Sequence, residues 1–350
     1  MKPAASGYTY RRFALAALCL TLLLIGAWAA RRMAFDWHSL RLQLRSVAWL
    51  HVAIGVACIF IGFWFRAIRW AVLLGPKKRV ASSTLIAPQF IGFTAVALFG
   101  RLADLARPYL IARRTALPVA TQIAVYSVER IFDLAAAAIL FSVTLAFAPR
   151  DLPHHEAFAR AGIISLAATL GLAAFALTIR FAGDRLAELA TRLLNPFSPK
   201  FGALAAARIL DFRTGLDTLT TVREFLAALA LSLLLWLGIA EAYVQCAHAM
   251  IATPELANLT FTQTMLLMAA SMGGSLIQLP IVGWFTQIAV LAAALHTFFS
   301  APIEASTACG AIILFVMNLS IVPVGLIASR LAGTTLRAAA QQADAVHDTT

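Results

Sequence analysis

Apolar runs of membrane-spanning length recur along this chain, and they restrict its fold more than any other feature. A helix needs about 20 apolar residues to cross a hydrocarbon core. Runs at 13–30, 47–74, 119–148, 161–181, 223–249 and 304–329 meet or approach that length. In lipid every backbone polar group must be satisfied within the segment, which makes such runs helices. The expected fold class is an all-α polytopic membrane protein with about six full spans. Composition agrees, with 61% hydrophobic and 13% charged residues and a mean hydropathy of +0.84. A soluble domain carries about 25% charged residues. The first run follows Arg11-Arg12 and exceeds the 7–15 residues, roughly, of a signal peptide's apolar region, so it reads as a retained span.

Two further apolar regions are interrupted. Residues 84–116 contain "LIAPQFIGFTAVALF", broken by Pro88 and Gly92, and then the charged stretch "GRLADLARPYLIARR". Residues 263–300 carry Gly273, Gly274, Pro280 and Gly283. Such segments suit re-entrant helices, whose freed backbone groups must be covered by protein or water. The net charge of +12 sits in short clusters at the ends of apolar runs, a membrane signature and not one of nucleic-acid binding. With the N-terminus in the cytoplasm, the basic loops 66–84 and 182–222 fall inside and the base-poor loops 149–160 and 250–262 fall outside. Loop 31–46 runs against this rule with four arginines, and reads as an amphipathic surface helix. Residues 182–222 read as cytoplasmic interfacial helices, and 331–350 as a polar tail. The interrupted regions then enter from opposite sides, 84–116 from inside and 263–300 from outside. Paired broken segments of this kind point to a transporter's substrate site.

Charge inside the apolar segments falls in three groups. "FRAIRW" places Arg66 and Arg69 on one helix face. "GRLADLARP" supplies Arg101, Asp104 and Arg107, whose spacing lets them share a face. "VERIFD" places Glu129 and Asp133 four apart, with Arg130 between them. A charge in a membrane needs a partner, and Glu129 or Asp133 with Arg101 or Arg107 is the economical pairing. Arg66, Arg69, Arg113 and Arg114 lie near span ends, where arginines snorkel to the interface as anchors. Arg66 and Arg69 also stand with Arg101, Asp104, Arg107, Glu129, Arg130 and Asp133 as candidates for a lipid headgroup site. A guanidinium left over would bind a lipid phosphate by bidentate hydrogen bonds.

The ordered set "RAIRW", "GRLADLARP", "ERIFD" and "QLPIVGWFTQ" resembles the lysylphosphatidylglycerol synthase transmembrane region family, over about Trp49 to Ala328. The second motif matches at Gly100, Arg101 and Arg107, with Ala103-Asp104 where the family usually has Gly-Glu. The third matches at Glu129, Arg130 and Asp133. In the fourth, Gln278, Pro280 and Gly283 stand in the turn, and Gln287 stands about where the family carries a Glu, so this site has lost its titratable group. The resemblance implies flippase-like translocation or export of a lipid in the bacterial inner membrane, whether anionic phospholipid, hopanoid or lipid-linked sugar. Twenty residues follow Arg330, so the aminoacyl-transferase domain of the fused synthases is not expected here. The alternative is a non-transporting subunit that scaffolds a lipid or envelope enzyme.

No nucleophile elbow, phosphate-binding loop or HExxH is present, and the chain is not expected to be an enzyme or to hold a cofactor. Cys19, Cys58, Cys246 and Cys309 lie in apolar runs without CxxC spacing and read as core residues, with no disulfide. His154-His155-Glu156 lacks further ligands for a metal. Glu241 lies inside the fifth span; Arg223 near the span's start would reach it only with a tilt, and its partner is left open. Membrane lipids are the expected partners, with a separately encoded lipid enzyme behind them.

Overall fold

The computed structural model describes residues 35–75, 77–147, 155–196, 198–216, 221–274 and 282–333. The expected span at 13–30, Gln278, Pro280 and nearly all of the tail lie outside them. Among the described residues the chain is helical throughout, without a strand. Four helices are long and apolar enough to cross a membrane: Trp49–Leu74, Ser82–Phe99, Val222–His248 and Ile303–Leu331. Val119–Ala146 has the length, at 28 residues, but carries Glu129, Arg130 and Asp133 in its middle.

Helix α1 (Trp37–Arg45) is short, has no buried residue, and exposes Trp37, Leu42 and Leu44 beside Arg41 and Arg45. Asp36 caps it, accepting from the His38 amide at 2.8 Å and the Ser39 hydroxyl at 2.6 Å. Those two bonds, the Ser39 one foremost, hold the Asp36 carboxyl below its ordinary range. The expected amphipathic helix is therefore present.

Helices α2 (Trp49–Leu74) and α8 (Val222–His248) pack antiparallel along most of their length and form the spine. Gly62 allows this, since a Cβ there would meet Leu235 at 3.1 Å. The N-terminal end of α2, the C-terminal end of α8 and α1 mark one end of the bundle. The C-terminal end of α2, with Lys77, Lys78 and Arg79 beyond it, marks the other.

Both interrupted regions fold as helical hairpins entered from opposite ends. The first begins at the basic end with α3 (Ser82–Phe99) and returns as α4 (Ala106–Thr115) through a 3-10 turn over Arg101–Leu105. Lys78 donates to the Thr115 carbonyl at 2.8 Å and fixes the return at that end. Pro88 and Gly92 do not interrupt it, contrary to the sequence expectation. Proline there removes one ladder bond and the other bonds carry the helix across. The reversal falls at Gly100, whose φ of 81° and ψ of −170° suit glycine. Gly92 serves packing instead: a Cβ there would lie 2.8 Å from that of Arg107, so α3 and α4 approach closely only because it has none.

The second hairpin starts at the opposite end, with α9 (Pro254–Ala257), α10 (Phe261–Gly274) and α11 (Val282–Phe299). Gln287 donates to Ser271 at 3.3 Å, which sets α10 and α11 side by side. The start of α11 reaches the first hairpin, where the Trp284 indole N–H donates to the Ala97 carbonyl at 3.1 Å.

Between the hairpins in sequence stand α5 (Val119–Ala146), α6 (His155–Leu194) and α7 (Pro199–Leu216). The expected end of a span at 181 is a kink inside α6, at Ala182 (φ −126°, ψ 24°), and not the start of a separate segment. Helix α7 packs back on α6, so most of 182–222 is helical as expected. The last span is α12 (Ile303–Leu314) and α13 (Val322–Leu331), joined through a π-helical turn at Phe315–Leu319 that periodicity did not foretell.

Candidate functional site

The charged groups of α2, the first hairpin and α5 converge on one buried cluster at the basic end. Glu129 and Asp133 lie one turn apart on α5 and face α2. Arg69 grips both: Nη2 meets Glu129 Oε1 at 2.6 Å, and Nη1 meets Asp133 Oδ1 at 2.6 Å. Nη1 also donates to Ser232 Oγ of α8 at 2.5 Å. Arg107, carried in by the return arm of the first hairpin, reaches Glu129 Oε2 at 2.9 Å and donates to Gln89 Oε1 at 3.1 Å. Arg66 is more loosely held, with Nη1 3.8 Å from Asp133 and 3.9 Å from Glu129. Arg69, Arg107 and Glu129 are each 1% exposed.

Aromatic rings wall the cluster. The Arg107 guanidinium sits 4.8 Å from the Phe93 ring centre, 5.1 Å from Trp70 and 5.2 Å from Tyr126. The Arg66 guanidinium lies 4.6 Å from the same Phe93 ring centre. Guanidiniums stack well on such faces, and the rings keep water out. Trp70 is fixed in turn by its indole N–H, which donates to Gln122 at 2.9 Å.

At the rim, Asp104 accepts from Arg130 Nη2 at 2.6 Å and from the Tyr126 hydroxyl at 2.5 Å. Its other oxygen lies 4.0 Å from Arg107.

Three expectations are thus corrected. Arg69 is no interfacial anchor: α2 runs on to Leu74, which places Arg69 more than a turn inside the helix and facing α5. Arg66 likewise belongs to the cluster. The chief partner of Glu129 and Asp133 is therefore Arg69, with Arg107 second on Glu129. Asp104 serves Arg130 and Tyr126 more closely than Arg107, because 101–105 is a 3-10 turn and not the α-helix that a shared face presumes. Arg101 opens that turn, and its side chain lies outside the described residues. Arg113 and Arg114, exposed at the end of α4, stand as expected for anchors.

Charge does not balance inside the cluster. Arg66, Arg69 and Arg107 face two carboxylates, and the Arg130–Asp104 pair at the rim adds nothing, leaving a surplus of one positive charge among the described residues. Hydrogen-bond donors are in surplus too: Arg107 Nε and Nη2, Arg66 Nη1 and Arg69 Nε are buried without an acceptor. Such a site suits an anion with several acceptor oxygens. Gln89, Ser232, Trp70, Phe93 and Tyr126 were not foreseen. Gln89 and Ser232 were visible only as single polar residues in apolar runs.

The late candidates form a separate, uncharged group. Gln287 joins Ser271 and accepts from Asn318 of the π-helical turn at 3.4 Å, while the Tyr243 hydroxyl donates to Ser271 at 2.8 Å. Gly283 is buried in the first turn of α11.

The family model described as Lysylphosphatidylglycerol synthase TM region matches residues 13–328. No curated protein matches the chain.

Proposed function

The chain belongs to the lysylphosphatidylglycerol synthase TM region family, and from that premise we propose that it moves an anionic lipid across a bacterial inner membrane, with the cluster around Arg107 as the headgroup site. Family and fold make it a multi-pass membrane protein related to lipid metabolism or transport. The finer reading is carried by one observation, the buried surplus of positive charge beside an Arg107 Nη2 that lacks an acceptor. An uncompensated buried charge costs several kcal/mol, roughly, and an anion bound beside it offsets that cost. A phosphate oxygen at Arg107 Nη2 supplies both the missing charge and the missing acceptor.

Lys77, Lys78, Arg79, Arg113, Arg114 and Arg223 gather at the cluster's end of the bundle. The positive-inside rule then assigns this end to the cytoplasm, with both chain termini. The first hairpin is in this reading a re-entrant segment of the inner leaflet and the second one of the outer leaflet. The protein works as a carrier and not as an enzyme. A separately encoded enzyme makes its lipid.

The test is lipid-dependent thermal stability of the purified full chain, with the co-purified lipid identified by mass spectrometry. Anionic phosphatidylglycerol should stabilise the wild type more than zwitterionic phosphatidylcholine. Arg107→Gln should weaken the anionic effect about ten-fold, since one charge-assisted hydrogen bond is lost. If Arg107→Gln keeps the full anionic effect, the headgroup assignment is wrong.

A further inference from the structure

Helix α1 carries basic charge against the positive-inside pattern, and the headgroup site gives it no part. Three hydrogen bonds tie it and its flanks to the end of the bundle opposite the arginine cluster. The Asp36 amide donates to Glu304 Oε1 at the start of α12 at 3.1 Å. The Thr253 hydroxyl, just before α9, donates to Gln43 Oε1 at 3.1 Å. The Ala48 amide donates to the Ala249 carbonyl, just past the end of α8, at 2.9 Å. Leu40 packs on the core between these ties. The helix is therefore held in place, with Leu40 and Gln43 on the face that meets the bundle.

With about 3.6 residues per turn, His38, Arg41 and Arg45 fall on the opposite face, and all three are exposed. Trp37 and Leu44, two turns apart, form an exposed apolar flank along one side of that cationic stripe. The flank is continued by Trp49 and Leu50, exposed at the start of the α2 span. Neither Arg41 nor Arg45 forms an ion pair among the described residues. The nearest carboxylates are already engaged: Asp36 caps α1, and Glu304 accepts from the Asp36 amide.

Tryptophan rings settle at the boundary between hydrocarbon and headgroups. Arginine stems run along apolar surface and carry the guanidinium to headgroup level, where it binds phosphate oxygens. An acidic protein would match the two charges, but the apolar flank runs on without a break into the exposed start of a membrane span. The occupant that fits charge and flank together is the leaflet itself. We propose that α1 is a docking surface for anionic phospholipid headgroups, in the leaflet opposite the one that serves Arg107. Arg41 and Arg45 take the phosphates, and Trp37 and Leu44 sit among the upper acyl chains. That this leaflet is the outer one rests on the orientation proposed above, but the binding does not. A carrier of anionic lipid then has a cationic landing surface at both of its ends.

Hydrogen exchange of the full chain in lipid nanodiscs tests this. One set of discs holds phosphatidylcholine alone, and the other adds phosphatidylglycerol. Each arginine near an anionic surface is worth about a five-fold change in binding. The Arg41–Arg45 amides should therefore exchange at least about five-fold more slowly in the anionic discs. Raising salt to about 1 M should remove most of that difference, because it screens the headgroups and alters no residue. Arg41→Gln with Arg45→Gln should also remove it, whereas Arg41→Lys with Arg45→Lys should keep it. The proposal is overturned if the wild type exchanges alike in both discs, if the slowing survives high salt, or if the glutamine variant retains it. Slowing in lipid-free detergent that grows with protein concentration would assign the face to a second copy and overturn it as well. The readout is confined to α1, so its failure leaves the Arg107 site standing, and failure of the Arg107 assay leaves this surface standing.

Discussion

The indole N–H of Trp284 donates to the carbonyl of Ala97, and with that bond the start of α11 is fastened to the first hairpin. The two residues are 187 positions apart in sequence. Trp284→Phe removes the donor and keeps a ring in place. The expected loss is about 1 kcal/mol, which opens the contact roughly five-fold more often. Hydrogen exchange of amides around Gly100 should rise by that factor, while amides in the middle of α2 should not change.

Arg69, on α2, holds two carboxylates of α5 and a serine of α8, which makes it the structural hub of the cluster. Arg69→Met leaves Glu129 and Asp133 short of their main partner. Breaking a buried pair this way costs about 3–5 kcal/mol. The variant should show a lower melting temperature or poor yield with or without lipid. Arg107→Gln should differ by losing mainly the lipid-dependent part.

Gly92 lets Arg107 come close to α3. Gly92→Val forces α4 outward, and overpacking of this kind costs about 1–3 kcal/mol. The Arg107 guanidinium moves off Glu129 as a result. The anionic-lipid effect on thermal stability should therefore fall although no charge has been altered. Gly171→Ala, where nothing lies within 4 Å of the added Cβ, is the matched control and should behave as wild type.

Asp36 titrates below its ordinary range because Ser39 and the His38 amide bind its charged form. The sign follows: its support of α1 is complete above the ordinary value of 3.8 and is lost as pH falls through the lower folded value. Exchange of the His38 amide should accelerate over that range in the wild type. Asp36→Asn still caps the helix but does not titrate, and should show no such step.

The sequence made the broad architecture legible because lipid permits few solutions: long apolar runs must be helices, and breakers in two of them marked both hairpins. Where the first hairpin turns was less legible. Pro88 and Gly100 are both strong punctuators on paper, but only Gly100 takes a positive φ, and that choice depends on α4 docking against Gly92. The π-helical turn at Phe315–Leu319 has no periodic signal in the sequence. The cluster's members were visible as charges, with their pairing left open. Arg69 and Arg114 look alike as arginines near the end of an apolar run, yet one is buried on two carboxylates and the other exposed. What separates them is where each helix stops and what it faces. Gln89 and Ser232 carry so little individual signal that only the fold assigns them to the site.

The hairpins that meet at Trp284 and Ala97 give the molecule a transverse seam. A full-length helix resists displacement because both its ends are moored in water on opposite faces. In the lipid-carrier reading each hairpin is moored on one face only, and its inner end is held by the other hairpin. The seam between the hairpins therefore crosses the direction of the α2–α8 spine and does not follow it. Among the described residues the Trp284–Ala97 bond crosses this seam, whereas the α2–α8 spine lies apart from it.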